Sequence, residues 1–195
     1  NGSVTLTLTA DGLLPCTGQV TDQMVLSIEP SPVANAGIDE TICVGSFTIT
    51  TASAANYNTL HWVSSGSSGT LLNANTITPT YMPSAADILA GSVVLTLTAS
   101  ANAPCAVDAV DQVTITIRPI TAVSAGADVT ICEGSDFTPN PATASNYASL
   151  LWTSTGSGAF INANTLTPTY TPSPADIATG WVTLTLTANS IAPCT

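Results

Sequence analysis

The chain has no lysine, one arginine and one histidine against twelve acids, a formal net charge of −11 over 195 residues. The missing positive charge excludes whole classes of function. Binding to a nucleic-acid backbone draws on counterions displaced by Lys and Arg, which this sequence cannot supply. Attraction to anionic lipid fails for the same reason. Without lysine there is no Schiff base, no P-loop phosphate clamp and no Lys–Asn or Lys–Asp isopeptide staple. Aromatics are only 5% and charged residues 7%, the latter against roughly 25% in an ordinary domain. No apolar run reaches the roughly 18 residues of a membrane-crossing helix. No basic-then-apolar leader opens the sequence at Asn1, so any signal peptide is expected outside it. What is abundant is β-branched and hydrophobic: 45% of residues are hydrophobic, enough for a core and unlike a disordered chain.

The strongest positive signal is self-similarity. The run Val-Thr-Leu-Thr-Leu-Thr-Ala at 4–10 returns at 182–188 and, with one change, at 93–99, a step of 89 residues (93 − 4, 182 − 93). Cys16, Cys105 and Cys194 keep that step, as do Cys43 and Cys132. Thr41-Ile42-Cys43-Val44-Gly45-Ser46 returns as Thr130-Ile131-Cys132-Glu133-Gly134-Ser135, and Thr78–Ile88 as Thr167–Ile177. The offset is 90 from Phe47 to about Ser67 (Tyr57 to Tyr147, Trp62 to Trp152), so one residue was gained and another lost. Three domains are expected: 1–29, the last strands of a truncated module; 30–119, a complete module; and 120–195, a module lacking its last strand. Strand donation between chains is one explanation of the ragged ends. Residues 1–17 duplicate 179–195, cysteine included, so a donated piece would carry one strand too many. A window cut from a longer array explains the ends better.

Period-2 alternation bounded by Gly, Pro and Asn clusters predicts strands near 33–37, 40–44, 47–51, 59–63, 70–73, 76–81, 92–100 and 110–117. Ser84 followed by Asp87 predicts one helical turn over 84–89, a capping box with Asp for Glu. With no crossover helix, the fold class is all-β, an antiparallel sandwich of immunoglobulin type repeated in a linear array. Trp62 and Trp152 belong in the core, and Leu95 and Leu97 point inward while Thr96 and Thr98 point out.

Ala-Gly-x-Asp, Thr-Ile-Cys-x-Gly-Ser, Tyr-x-x-Leu-x-Trp, Pro-Thr-Tyr-x-Pro-Ser-x-Ala-Asp-Ile, Val-x-Leu-Thr-Leu-Thr-Ala and Ala-Pro-Cys run through the chain. Together they resemble the tandem PKD-like, immunoglobulin-like repeats of large Bacteroidota surface proteins, gliding-motility adhesins among them. Gly66-Ser67-Ser68-Gly69 departs from the pattern, one residue longer than Gly156-Ser157-Gly158. The resemblance implies export, a cell-surface stalk or adhesive role, and no catalytic residues.

In an exported repeat, cysteines held in phase are expected to form disulfides. Two pairings stand. Within modules, Cys43 would join Cys105 and Cys132 would join Cys194. Sandwich geometry instead places those partners at opposite ends of a strand, roughly 20–30 Å apart, against the roughly 7 Å that a disulfide allows. Head-to-tail modules would pair Cys43 with Cys194. Either crosslink contributes about 4 kcal/mol by loop entropy, and Cys16 has lost its partner under both.

Little chemistry is on offer besides. His61 is the single histidine and its counterpart is Leu151, so no Ser–His–Asp triad recurs and no enzyme is expected. No cofactor is expected, with one reservation for structural calcium, which prefers carboxylate and carbonyl oxygens. Asp39 and Asp128, near the module starts, are its weak candidates. Asp87 and Asp176 read as helix caps. Trp181, whose counterparts are Ser3 and Ser92, is the one aromatic outside the expected core positions, and it reads as core filling or a chance difference ahead of a local surface contact. Thr96, Thr98, Thr185 and Thr187 read as an ordinary solvated face. The expected partners are neighbouring modules, with lateral copies if a fibre forms. Three functions remain: a disulfide-stapled rod in an extracellular, cell-surface adhesin; a subunit of an extracellular filament or surface layer; and a glycan-binding module.

Overall fold

The computed structural model describes residues 2–66 and 68–194. Asn1, Thr195 and Ser67 of Gly66-Ser67-Ser68-Gly69 lie outside the described residues. The chain is an all-β protein built of several sheets, with two short helices among the described residues. Its contacts group into two units: Asn1–Asp39, Ser46–Met82 and Val93–Thr114; and Glu40–Gly45, Pro83–Ser92 and Ile115–Thr195.

The first unit opens with a hairpin, β1 (Gly2–Asp11) against β2 (Gln19–Ile28), antiparallel from Gly2↔Ile28 to Asp11↔Gln19. Both strands are exposed along their whole length. β3 (Val33–Asn35) pairs with β6 (Ser53–Ala55), a strand that the sequence pattern did not announce. β5 (Phe47–Thr48), β9 (Thr80–Met82) and β8 (Thr70–Leu72) form a three-stranded sheet. The expected strand at 76–81 begins only at Thr80. Asn73 adopts φ 55°, and the Thr76 amide and hydroxyl both donate to its carbonyl, which makes the preceding residues a turn. β7 (Tyr57–Ser65) pairs with β10 (Ser92–Ala101), in register Leu97↔Trp62. The alternation holds: Leu95 and Leu97 are fully buried, Thr96 and Thr98 half-buried. Trp62 is 1% exposed, and its indole N–H donates to the Thr76 carbonyl at 3.0 Å.

β4 (Glu40–Cys43) and β11 (Ala109–Arg118) complete a four-stranded sheet of order β4-β11-β10-β7. The β4–β11 pairing is parallel, from Ile115↔Glu40 to Arg118↔Cys43, so the expected antiparallel arrangement does not hold throughout. Val113, Ile115 and Ile117 of β11 are buried. Between these elements lies α1 (Ala85–Ala90), capped by Ser84 and closed by left-handed Gly91.

The second unit repeats these devices in 120–195. β12 (Ala122–Ser124) pairs with β13 (Thr143–Ser145), β15 (Ala159–Ile161) with β16 (Thr169–Thr171), and β14 (Tyr147–Ser154) with β17 (Leu184–Ser190). Leu150, Trp152 and Leu186 form its core, flanked by Phe160 and Leu166. The Trp152 indole donates to Thr165 at 3.0 Å, as Trp62 does to Thr76. α2 (Pro174–Thr179) has the same capping box on Ser173 and Asp176.

Candidate functional site

The cysteines come first. Cys43, closing β4, is disulfide-bonded to Cys194 with Cα atoms 5.3 Å apart. Cys43 belongs to the first full sequence repeat and Cys194 to the second. Neither Cys43–Cys105 nor Cys132–Cys194 forms: Cys16, Cys105 and Cys132 are thiols. The bond is positioned by backbone. The Val44 amide donates to the Arg118 carbonyl at 3.0 Å, and the Cys194 amide donates to Ile191 at 3.0 Å. The Cys194 sulfur lies 3.7 Å from that same Arg118 oxygen. One repeat earlier, the Cys105 thiol donates to the Glu29 carbonyl at 3.5 Å. Glu29 and Cys105 precede Arg118 and Cys194 by one repeat step, so Cys105 holds the pose of a bonded cysteine.

The acidic positions have structural partners. Asp39 accepts from the Thr114 amide of β11 at 2.8 Å, and Asp111 of β11 accepts from the Ala36 amide at 2.8 Å. Together they fix β11 against the start of the module. Asp128, the counterpart of Asp39, is exposed and makes no hydrogen bond among the described residues. No three His, Cys, Asp or Glu side chains come together among the described residues. His61 is exposed and hydrogen-bonded to Asn75 at 3.1 Å. Thr96 takes a hydrogen bond from Gln112 at 3.2 Å.

Asp176 does more than cap a helix. Its Oδ2 accepts from Tyr170 Oη at 2.7 Å and from the Ser173 amide at 2.9 Å, and its Oδ1 accepts from the Ser157 amide at 2.9 Å. The Ser173 amide, then the Tyr170 hydroxyl, hold its carboxyl far below the usual carboxylate range. Burial, then the facing carboxylate, push the Tyr170 hydroxyl upward. A Cβ on Gly158 would overlap the Tyr170 hydroxyl and the Thr171 carbonyl, so only glycine fits there. The repeated Tyr-x-Pro-Ser-x-Ala-Asp run carried this pairing, and spacing alone did not reveal it.

The remaining feature is a groove of about 530 Å³ in the second unit. Val129, Ile131, Phe137, Trp181 and Leu184 line it, with Asp128 at its wall. Trp181 is 68% exposed. In the first repeat the corresponding space holds β11, between β4 and β10. Here its two walls are irregular: 129–132 form no strand, and β17 starts at Leu184 whereas β10 starts at Ser92, the counterpart of Trp181.

No protein-family model matches the chain, and no curated protein sequence matches it. Among solved structures, protocadherin gamma C5 EC1-3 is 12% identical with a TM-score of 0.48, covering 97% of this chain and 77% of that one. Extracellular cadherin domains 1-4 of protocadherin gamma B7 are 14% identical with a TM-score of 0.47, covering 97% and 57%. The human desmocollin-1 ectodomain is 10% identical with a TM-score of 0.38, covering 99% and 44%. At these values nothing of their binding or partners passes to this chain.

Proposed function

We propose that this chain is a stretch of the repeat region of an extracellular, cell-surface adhesin of the Bacteroidota kind, and that it serves as a disulfide-stapled rod. In this reading 1–29, 30–119 and 120–195 are consecutive modules of a linear array, the first and last of them partial. The observation that carries it is the Cys43–Cys194 bond, which ties one sequence repeat to the next and uses the cysteines that recur with the repeat. Such a role needs no catalytic cleft, and 30–119 and 120–195 each bury a core of their own, around Trp62 and Trp152. Excess negative charge keeps neighbouring copies apart. Non-reducing peptide mapping of the oxidised protein tests the staple. A Cys43–Cys194 peptide is expected, and a Cys43–Cys105 peptide would remove the reading. A second reading, a subunit of an extracellular filament, is favoured by the exposed apolar residues of β1 and β2. Images of native surface material decide between them, isolated threads meaning a stalk and ordered fibres a filament.

A further inference from the structure

The Cys43–Cys194 bond is built around one carbonyl. The Arg118 oxygen accepts from the Val44 amide at 3.0 Å and lies 3.7 Å from the Cys194 sulfur, so it holds both sides of the bond at once. The parallel register of β4 and β11 sets the first contact, with Arg118 opposite Cys43. One repeat step earlier the Glu29 carbonyl accepts from the half-buried Cys105 thiol at 3.5 Å, across the same separation of 76 residues. Half of the same joint is therefore assembled on Glu29. The other half recurs in the sequence, where Thr130-Ile131-Cys132-Glu133 repeats Thr41-Ile42-Cys43-Val44.

We infer that Cys105 and Cys132 are each one side of a further disulfide within a single polypeptide. Cys105 joins a Thr-Ile-Cys-type cysteine 151 positions upstream, and Cys132 joins an Ala-Pro-Cys-type cysteine 151 positions downstream, the separation of the observed pair. This rests on the rod reading, in which the 89-residue step continues, and adds that the staples interleave. Each bond forms as two thiols pass two hydrogens, with their electrons, to a disulfide oxidant, which becomes a dithiol. Each bond spans 151 residues and the next begins 89 residues on, so consecutive loops share 62 residues (151 − 89). Every residue inside the array then lies in at least one loop. Alternate bonds are separated by 27 residues (2 × 89 − 151), so the odd bonds and the even bonds each make a continuous path for load. When one bond breaks, the other path stays taut and no length is released.

The native parent polypeptide, alkylated with iodoacetamide before any reductant and then digested with pepsin, tests this. Cys105 and Cys132 are expected to escape alkylation and to appear in disulfide peptides with partners from beyond 1–195. On non-reducing gels the parent is expected to run as a single chain. An alkylated Cys105 or Cys132, a Cys105–Cys132 bond, a bond from either to Cys16, or a disulfide from either to another polypeptide overturns the inference. A Cys43–Cys194 peptide in the same digest would still keep the rod reading. An alkylated Cys43 or a Cys43–Cys105 peptide removes both. Single-molecule stretching gives a second readout. With Cys43→Ser, the oxidised parent is expected to extend no further than wild type under the same load. Were Cys43–Cys194 an isolated staple, that variant would gain roughly 500 Å at about 3.5 Å per residue, and a gain of that size overturns the inference.

Discussion

Single residues decide how the capped turn responds to acid. Asp176 is buried and accepts three hydrogen bonds, with its carboxyl held well below the range of an unfolded chain. Its folded pKa is depressed, so its stabilisation is complete above the unfolded value of about 4 and fades as pH falls below it. Asp176→Asn is therefore expected to lower Tm at neutral pH, with the gap to wild type closing in acid; thermal melts across pH 7 to 2 measure it. Tyr170 has the opposite sign, since its raised pKa contributes below about 10 and is lost in alkali. The capping role of Asp87 and Asp176 was legible from Ser-x-x-Asp. The tyrosine partner was not, because a contact six residues away through a strand-to-helix corner follows no period. The disulfide choice was open for a related reason: spacing gives phase, and only the fold gives distance.

Among elements, identical sequence meets opposite environments. Leu97 in β10 is 0% exposed and its counterpart Leu8 in β1 is 73% exposed. Leu97→Ala is expected to cost about 2–5 kcal/mol, whereas Leu8→Ala in the isolated chain should stay within about 0.5 kcal/mol. Urea unfolding of the two variants checks both values. The long strands, the helices and the buried tryptophans were readable because alternation and capping are local signals. β6 was missed, since Ser-Ala-Ala carries no strand propensity and pairs only because β3 lies beside it. The parallel β4–β11 pairing was missed because register between distant strands leaves no local mark. Thr41-Ile42-Cys43 is strand where β11 lies beside it; Thr130-Ile131-Cys132 has no such neighbour and is irregular. Strand state here belongs to the pair rather than to the tripeptide.

For the whole molecule, covalent connectivity outweighs any one contact. The Cys43–Cys194 bond closes a loop with sequence separation 151, which on the chain-entropy model is worth about 5 kcal/mol. Cys43→Ser or reduction is expected to lower stability by up to that amount, measured by denaturant unfolding with and without a thiol reductant. Digestion gives a second expectation. Arg118 is the only basic side chain apart from His61, and Pro119 follows it, so trypsin should leave the denatured polypeptide almost whole. Extensive fragmentation on a gel would contradict that. The same disulfide alters how the polypeptide yields when stretched. Tension applied on either side of it runs from sulfur to sulfur and leaves 151 residues of sequence slack. Once the bond is reduced, unfolding of those residues under load adds roughly 500 Å at about 3.5 Å per residue, so the redox state of the surroundings sets how far the polypeptide can extend.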